Sequence, residues 1–281
     1  MLTAFSVKLP PKAEGFKKLT NKLHRDKVET QILRARGVSL RHITYTSYSG
    51  EVRLDKTDGV VGTQRDRLLC SEKLVFPHSS GYRRFESSSF SARLCVNMAL
   101  ETLRNCQHST ELRLGIYDPT AIAADFLLHA LEFCVNPVII TKNHTPYRLA
   151  RERALNELGA AVSLTTRIED LAQCDFVIAP SRIHEPLPLR SSAIVLTSGE
   201  PKPSVDGEIY YSYSFRMPNG FASLKPAELS EEYFCSALYT LGEQYALGSI
   251  VPLTCNGKTG AQTVKSLSNL LDIQAKKAYN K

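Results

Sequence analysis

Polar residues follow the predicted strands in the middle of the chain, and their types suit the binding of a small ligand. Because the carboxyl ends of parallel strands meet at one edge of a sheet, we expect these residues to line a common crevice. Hydroxyl groups and a few charges fit around a polar molecule, but the same residue types also occur in loops that only face solvent. The candidates at the strand ends are Asp118, Pro119, Thr120, Ala121, Lys142, Ser181, Thr197 and Ser198.

A second group of candidates lies near a glycine-containing turn in the first quarter of the chain. Arg65, Asp66 and Lys73 combine an acid with two cations, which is the minimum for proton transfer or for holding an anionic substrate. The alternative is that the cations there pair with Asp66 and Glu72. No pair of residues in this segment demonstrates acid–base catalysis, so catalytic roles for these three residues rest on residue type alone.

The elements that would position the strand-end residues alternate regularly between strand and helix. Near-continuous apolar strands separated by helices of about a dozen residues are typical of a parallel sheet covered on both faces. The crossovers should be right-handed. The predicted strands are 112–117, 137–141, 161–164, 175–179 and 193–197, and the predicted helices are 121–133, 147–158 and 168–173.

This order of elements resembles the nicotinamide-binding domain of two-domain dehydrogenases of the shikimate and methylenetetrahydrofolate dehydrogenase kind. The similarity covers about 90 of the 281 residues and includes the Gly-Ala-Ala-Val strand at 159–162 and the segment Cys-Asp-Phe-Val-Ile-Ala-Pro-Ser at 174–181. It implies a Rossmann-like fold and a nicotinamide cofactor. The resemblance is one of pattern and identifies no more specific family.

The ligand loop departs from the dinucleotide pattern that this resemblance implies. Asp118, Thr120 and Ala123 stand at the three glycine positions, and only alanine is an accepted substitute. The next strand ends at Lys142 without the acid that would hold the ribose of NAD. Lys142, with Arg148, suits a 2′-phosphate, so NADP is the favoured cofactor if one binds. The alternative is a fold whose cofactor function has been lost.

The N-terminal part, residues 1–106, is predicted to be a smaller basic α/β lobe. We expect a strand at 2–7, a helix at 13–36 that Gly37 ends, and a strand pair formed by 42–48 and 51–54. A helix at 90–106 would bridge to the second domain, residues 107–281.

Charge is distributed unevenly along the chain. The net charge is +7, and residues 1–67 hold 14 Lys and Arg against 7 Asp and Glu. A basic lobe can meet nucleic acid, an acidic partner or a phosphorylated ligand, but a solvated helix face explains it as well. We favour a small-molecule ligand over nucleic acid, because binding of nucleic acid through this lobe would require a strongly salt-dependent affinity.

Composition limits the location of the protein. The sequence has no apolar run long enough to span a membrane and no signal-peptide core at its start, which predicts a cytoplasmic protein without a membrane partner. The 7 cysteines lack Cys-x-x-Cys or zinc-ligand spacing, so no metal is expected and most should be buried thiols. Cys255 stands in a segment that reads as a loop and is the candidate for a reactive thiol.

Several elements are expected after the sheet. The tyrosine-rich run 210–216 reads as an added strand that packs on the sheet or forms a homodimer interface. Ser230 is a fair N-cap for a helix to about 247. Gly257-Lys258-Thr259-Gly260 is not a phosphate loop, because Pro252 stands where that motif needs glycine. A C-terminal amphipathic helix is expected at 259–272.

Two functional hypotheses follow. The first is a two-domain protein that binds a small ligand between its lobes, in its enzymatic version an NADP-linked oxidoreductase. The second is a non-enzymatic ligand sensor or assembly protein that has lost its dinucleotide-binding loop. The fold by itself does not separate them.

Overall fold

The computed structural model describes residues 1–9, 25–48 and 50–279, with side chains up to residue 276. The described chain forms two compact units. The first, here the N-terminal unit, comprises Met1–Ser87 and Met217–Leu247, and the second, here the sheet unit, comprises Ser88–Arg216 and Gly248–Lys281. The domain boundary predicted at residue 107 is not a boundary of these two units and stays a prediction.

The elements of the described residues are as follows. The strands are β1 (Leu2–Lys8), β2 (Lys27–Ala35), β3 (Val38–Thr46), β4 (Leu114–Tyr117), β5 (Val138–Ile140), β6 (Ser163–Thr165), β7 (Phe176–Ala179), β8 (Ile194–Thr197), β9 (Glu208–Ser214), β10 (Thr254–Gly257) and β11 (Gly260–Thr263). The α-helices are α1 (Asp58–Val61), α2 (Ser89–Asn105), α3 (Phe126–Ala130), α4 (His144–Leu158), α5 (Glu231–Thr240) and α6 (Val264–Tyr279). Short 3-10 helices lie at Leu54–Lys56, Gly62–Asp66, His78–Ser80, Ser109–Glu111, Ile168–Gln173, Ala222–Leu224 and Tyr245–Ser249.

The N-terminal unit contains a 3-stranded sheet of order β1-β3-β2, in which β3 runs parallel to β1 and antiparallel to β2. The strand predicted at 2–7 is confirmed. The helix predicted at 13–36 is wrong where the structure describes it, because 27–35 is the strand β2, while 10–24 lies outside the described residues. Arg36 and Gly37 have φ of 48° and 77° and form the two-residue turn between β2 and β3. Gly37 therefore belongs to a hairpin turn rather than to a helix stop.

The strand pair predicted from 42–48 and 51–54 is also wrong in its second member. Both edges of β3 are taken by β1 and β2, which leaves no edge for another strand. The Asp26 carboxylate instead accepts hydrogen bonds from the Tyr45 hydroxyl on β3 at 2.8 Å and from the Tyr48 backbone N–H, just after β3, at 2.9 Å. Tyr45 is buried with Phe5 and Ile43 in the core of this unit.

The helix predicted after Ser230 is confirmed at its start. The Ser230 side chain accepts a hydrogen bond from the backbone N–H of Tyr233 at 3.2 Å, as an N-cap should. The α-helix α5 ends earlier than expected, at Thr240, and a 3-10 helix follows.

The sheet unit is built on an 8-stranded sheet of order β11-β10-β9-β8-β7-β4-β5-β6. The strands from β4 to β9 pair in parallel, whereas β10 and β11 are antiparallel to their neighbours. Counted along the chain, the parallel strands lie in the order 3-2-1-4-5-6, which is that of the Rossmann fold. The direction of winding reverses between β4 and β7. The predicted Rossmann-like α/β class is confirmed.

Helical segments cover the two faces of this sheet. On one face Tyr117, Val177 and Val195 pack with Leu171 of the 3-10 helix Ile168–Gln173 and with apolar side chains of the loop after β7. The α-helix α2 packs against β7, β8 and β9. Since side chains alternate along a strand, Ile178 and Leu196 point away from the first face, toward the second. The tyrosine-rich strand β9 is an interior strand between β8 and β10.

Two helices of the sheet unit differ from the prediction. The helix expected at 121–133 is reduced to the five residues of α3, because residues 122–125 form turns and Ala121 has a φ of 58°. The helix expected at 259–272 begins later, at Val264, because 260–263 is the strand β11. Lys258 and Thr259 lie at the turn of the β10–β11 hairpin. Cys255 is buried in β10, so the expectation that it stands in a loop is wrong.

Among the described residues, no helix is both long and apolar enough to cross a membrane.

Candidate functional site

The loops after β4 and β7 meet where the winding of the sheet reverses, the position at which Rossmann-like folds bind ligands. The Thr120 Oγ1 and Ser181 Oγ atoms are 3.4 Å apart. The loop after β5 joins them, since the Lys142 backbone N–H donates to the Pro119 carbonyl oxygen at 3.3 Å. The structure therefore brings the sequence-predicted residues of three loops to one edge of the sheet.

Asp118 is fully buried, and its carboxylate turns into the protein. It accepts hydrogen bonds from the backbone N–H groups of Ile122 at 3.2 Å and Ala123 at 2.9 Å. A third hydrogen bond comes from the Tyr147 hydroxyl at 2.9 Å. The Ala121 N–H donates to the Asp118 carbonyl oxygen at 3.1 Å, which closes the turn at the residue with positive φ. Asp118 therefore organises the loop instead of presenting its charge to a ligand.

Lys142 stands at the end of β5 with 72% of its side chain exposed. Its Nζ lies 3.5 Å from Oε1 of Glu185, a residue of the loop after β7. The Tyr117 hydroxyl donates a hydrogen bond of 2.5 Å to the same oxygen. These two contacts, with the Tyr117 bond the stronger, lower the pKa of Glu185, so this carboxylate is ionised at neutral pH.

Glu185 is a site residue that the sequence analysis missed. The dinucleotide pattern places a ribose-binding acid at the end of the second strand, and the sequence indicates no connection between residues 142 and 185. Only the folded loop after β7 brings this carboxylate to Lys142. The one indication in the sequence is the position of Glu185 in a proline-rich loop at the carboxyl edge of the sheet, from which an acid can reach the neighbouring strand end.

The strand end of β8 contributes Thr197 and Ser198. The Thr197 hydroxyl donates to the Ser181 carbonyl oxygen at 2.9 Å, and the Thr197 carbonyl oxygen accepts from the Tyr213 hydroxyl at 2.8 Å. The Ser198 Oγ is buried and has no hydrogen-bond partner among the described residues. A buried hydroxyl without a partner carries a free-energy cost that a bound polar ligand would relieve.

The N-terminal candidates do not form one group. Asp66 is exposed and lies 4.0 Å from the Arg67 guanidinium. The Arg65 side chain packs by Gly81, and the Arg65 carbonyl oxygen accepts a hydrogen bond from the Arg83 N–H at 2.7 Å. Lys73 lines a separate cavity of the N-terminal unit, whose lining includes neither Arg65 nor Asp66. Of the two acids in the pairing alternative, Asp66 lies near the adjacent Arg67, and Glu72 lies near Arg84.

The residues present do not fit the diphosphate of a dinucleotide at the loop after β4. In such a site backbone N–H groups at the start of a helix bind the phosphate. Here the N–H groups of Ile122 and Ala123 already donate to Asp118. The following helix, α3, has five residues, too short to offer the anion a strong helix dipole.

No known protein family model matches this chain, and no curated protein sequence matches it. Among solved structures, it is similar to the Δ1-pyrroline-2-carboxylate reductase of Thermococcus litoralis, with 12% identity over 64% of this chain and 60% of that one, at a TM-score of 0.30. Two further similar structures are L-tryptophan dehydrogenase from Nostoc punctiforme (11% identity, 99% and 83% coverage, TM-score 0.33) and phosphoglycerate oxidoreductase from Vibrio cholerae O395 (11%, 100% and 100%, 0.34).

The chain matches less than two thirds of the length of the Thermococcus reductase. The reductase was solved with NADH and L-proline, and all three structures bear the names of dehydrogenases, reductases or oxidoreductases. The Rossmann-like assignment of this chain rests on its own strand order.

Proposed function

We propose that this chain binds a small polar ligand at the carboxyl edge of its Rossmann-like sheet and does so without a dinucleotide. In this proposal it is a ligand sensor or an assembly protein rather than an NADP-linked oxidoreductase. The observation that carries the proposal is the buried Asp118 carboxylate, which accepts the hydrogen bonds of Ile122 and Ala123. These are the backbone donors that a diphosphate would use.

Electrostatics support the same conclusion. A diphosphate placed against this loop would meet the buried carboxylate of Asp118, which forms no ion pair among the described residues. Like charges a few ångströms apart in a weakly screened interior repel by several kcal/mol. The loop would have to turn Asp118 outward and break its bond to Tyr147 before a phosphate could bind.

The second candidate function is the NADP-linked oxidoreductase, which Lys142 favours. Its ammonium group is exposed at the end of β5, where a 2′-phosphate would lie. The Glu185 carboxylate beside it opposes a phosphate. This exposed ion pair is weak, however, and a ligand could displace it, so Lys142 alone does not decide between the two functions.

The hydrogen-bonding groups at the carboxyl edge of the sheet indicate which kind of ligand would bind there. Ser198 contributes a hydroxyl without a partner, and Thr120 and Ser181 contribute hydroxyls from the two loops that meet there. Hydroxyl groups donate and accept equally, so a neutral molecule rich in hydroxyl or amide groups suits them better than an anion does.

Thermal unfolding with NADP, NADPH, NAD and NADH, each at millimolar concentration, tests the proposal. A ligand at a hundredfold excess over its Kd stabilises the folded state by roughly 2.7 kcal/mol, which raises the melting temperature by several degrees. We expect no rise with any of the four nucleotides. A rise with NADPH that disappears in Lys142→Gln but persists in the control Lys265→Gln would overturn the proposal and establish the oxidoreductase candidate.

A further inference from the structure

A cavity of about 250 Å³ lies in the N-terminal unit, and all its lining residues belong to that unit. Its lining combines cationic, anionic and hydroxyl side chains. The residues that matter here are Ser71, Lys73, Arg84, Glu228, Ser230 and Tyr233. We call it the Arg84 cavity.

Arg84 is held rigidly at this cavity. Its guanidinium carbon lies 3.9 Å from the centre of the Tyr233 ring, and its Nε donates to the Cys70 carbonyl oxygen at 3.0 Å. The Tyr233 ring is itself fixed by a hydrogen bond of 2.9 Å from its hydroxyl to the Phe85 carbonyl oxygen. A guanidinium fixed in this way can bind a carboxylate with little loss of side-chain entropy.

Among the described residues, the acid that pairs with the Arg84 guanidinium is an exposed one. The Arg84 Nη2 lies 3.5 Å from Oε1 of Glu72, whose side chain is 87% exposed. An ion pair in such an exposed setting contributes little, so the carboxylate of a ligand can replace Glu72. Lys73, which is exposed and lines the same cavity, supplies a second cation for that carboxylate.

Two acids, Glu72 and Glu228, line the cavity, and a short chain of hydrogen bonds holds Glu228. The Ser6 hydroxyl donates to Oε1 of Glu228, and the Ser6 Oγ lies 2.6 Å from Nε2 of His42. Because the single hydroxyl proton of Ser6 goes to Glu228, the His42 Nε2–H must donate to Ser6. These hydrogen bonds engage Oε1 of Glu228 and do not involve Oε2.

We propose that the Arg84 cavity binds a small zwitterion of the α-amino acid class. Arg84 and Lys73 bind its carboxylate, and Glu228 binds its ammonium group. The opposite charges of the lining match the two charged groups of such a molecule, whereas a simple anion offers no positive charge to the Glu228 carboxylate. A volume of about 250 Å³ leaves room for a side chain. This inference concerns the N-terminal unit alone and does not depend on the proposed function.

The experiment is isothermal titration calorimetry on the full chain with glycine, L-serine, L-leucine and L-glutamate at millimolar concentration. Acetate and methylamine, which each carry one of the two charged groups of glycine, serve as matched probes. We expect saturable binding of at least one amino acid and much weaker binding of acetate and methylamine. Binding of acetate as tight as that of every amino acid would reduce the cavity to an anion site and overturn the proposal.

Variants test whether the amino acid binds in the Arg84 cavity or elsewhere on the surface. Lys73→Gln and Glu228→Gln should each weaken amino-acid binding by at least about tenfold, the usual effect of losing one charged hydrogen bond. Lys27→Gln, an exposed lysine on β2 outside the cavity, should bind as the wild type does. Circular dichroism confirms that each variant is folded. Absence of binding by the folded wild type, or equal loss in Lys27→Gln, would overturn the proposal.

Discussion

The Tyr147 hydroxyl on α4 donates a hydrogen bond of 2.9 Å to Oδ2 of Asp118, and both side chains are fully buried. This bond ties the helix after β5 to the loop after β4. Burial and the neighbouring carboxylate of Asp118 raise the pKa of Tyr147 well above its ordinary value, so the phenol stays protonated and remains a donor.

Tyr147→Phe should destabilise the protein, because it removes one donor from a buried carboxylate while keeping the ring. Hydrogen bonds to charged groups contribute about 1.5–3 kcal/mol, and we expect a loss of that size in urea unfolding. Tyr245→Phe is the control, since Tyr245 is largely exposed, and it should change the free energy of unfolding by less than about 0.5 kcal/mol. Equal effects of the two variants would contradict the role given to this hydrogen bond.

Gly115→Ala should destabilise the sheet unit. A Cβ at Gly115 would lie 2.7 Å from Cδ2 of Leu171 and 2.9 Å from Sγ of Cys174, so the packing on this face of β4 must shift. Overpacking of this kind costs about 1–3 kcal/mol, which denaturant unfolding measures.

Gly59→Ala is the matched control for Gly115→Ala, because a Cβ at Gly59 meets no atom within 4 Å. Gly59 lies in the helix α1, where alanine restricts the unfolded chain and should stabilise the protein by about 0.4–1 kcal/mol. If Gly115→Ala has the same free energy of unfolding as the wild type, the side chains of Leu171 and Cys174 accommodate the added methyl group without destabilising the fold.

Stability should fall as the pH decreases below about 6.5, in part because of His42. Burial lowers the pKa of His42 in the folded state, with Lys8 adding to the effect and Glu228 opposing it. The unfolded chain then takes up a proton at this residue before the folded chain does, so acid favours unfolding. Thermal unfolding between pH 7.5 and 5 should show a smaller loss for His42→Gln than for the wild type. An equal loss of stability in both proteins would show that His42 does not contribute to the pH dependence.

The cysteines should react slowly in the folded protein, because all 7 are free and buried. Burial raises the pKa of the Cys255 thiol to about 12 and that of Cys70 to about 11, so little thiolate is present at pH 8. We expect titration with a coloured disulfide reagent at pH 8 to be slow for the native chain and rapid after unfolding in guanidinium. Fast reaction of the native chain that Cys255→Ser abolishes would restore the reactive-thiol hypothesis.

Four of the parallel strands, β4, β5, β7 and β8, could be predicted because each is a short apolar run between turn signals. The first such run ends at Tyr117 and the last at Thr197, within a residue or two of the prediction. The N-terminal helix could not be excluded in the same way. Val28, Ile32 and Leu33 have helical spacing, and the pairing partner that makes 27–35 a strand lies beyond the turn at Gly37.

The candidate site could be predicted by position but not by geometry. The strand ends bring Asp118, Thr120 and Ser181 to one edge, as expected from a parallel sheet. The direction of the Asp118 carboxylate depends on the Tyr147 hydroxyl, which comes from a helix one crossover later. The contact of Glu185 with Lys142 depends on a loop without regular structure, whose path no periodicity indicates.

The hairpin of β10 and β11 has a consequence for colloidal behaviour. It pairs with β9, so the edge strands of the sheet are β11, with four residues, on one side and β6, with three residues, on the other. Edge strands this short expose few backbone groups on which another molecule could template a continuous sheet. We therefore expect the edges of this sheet to contribute little to fibril formation in concentrated solutions.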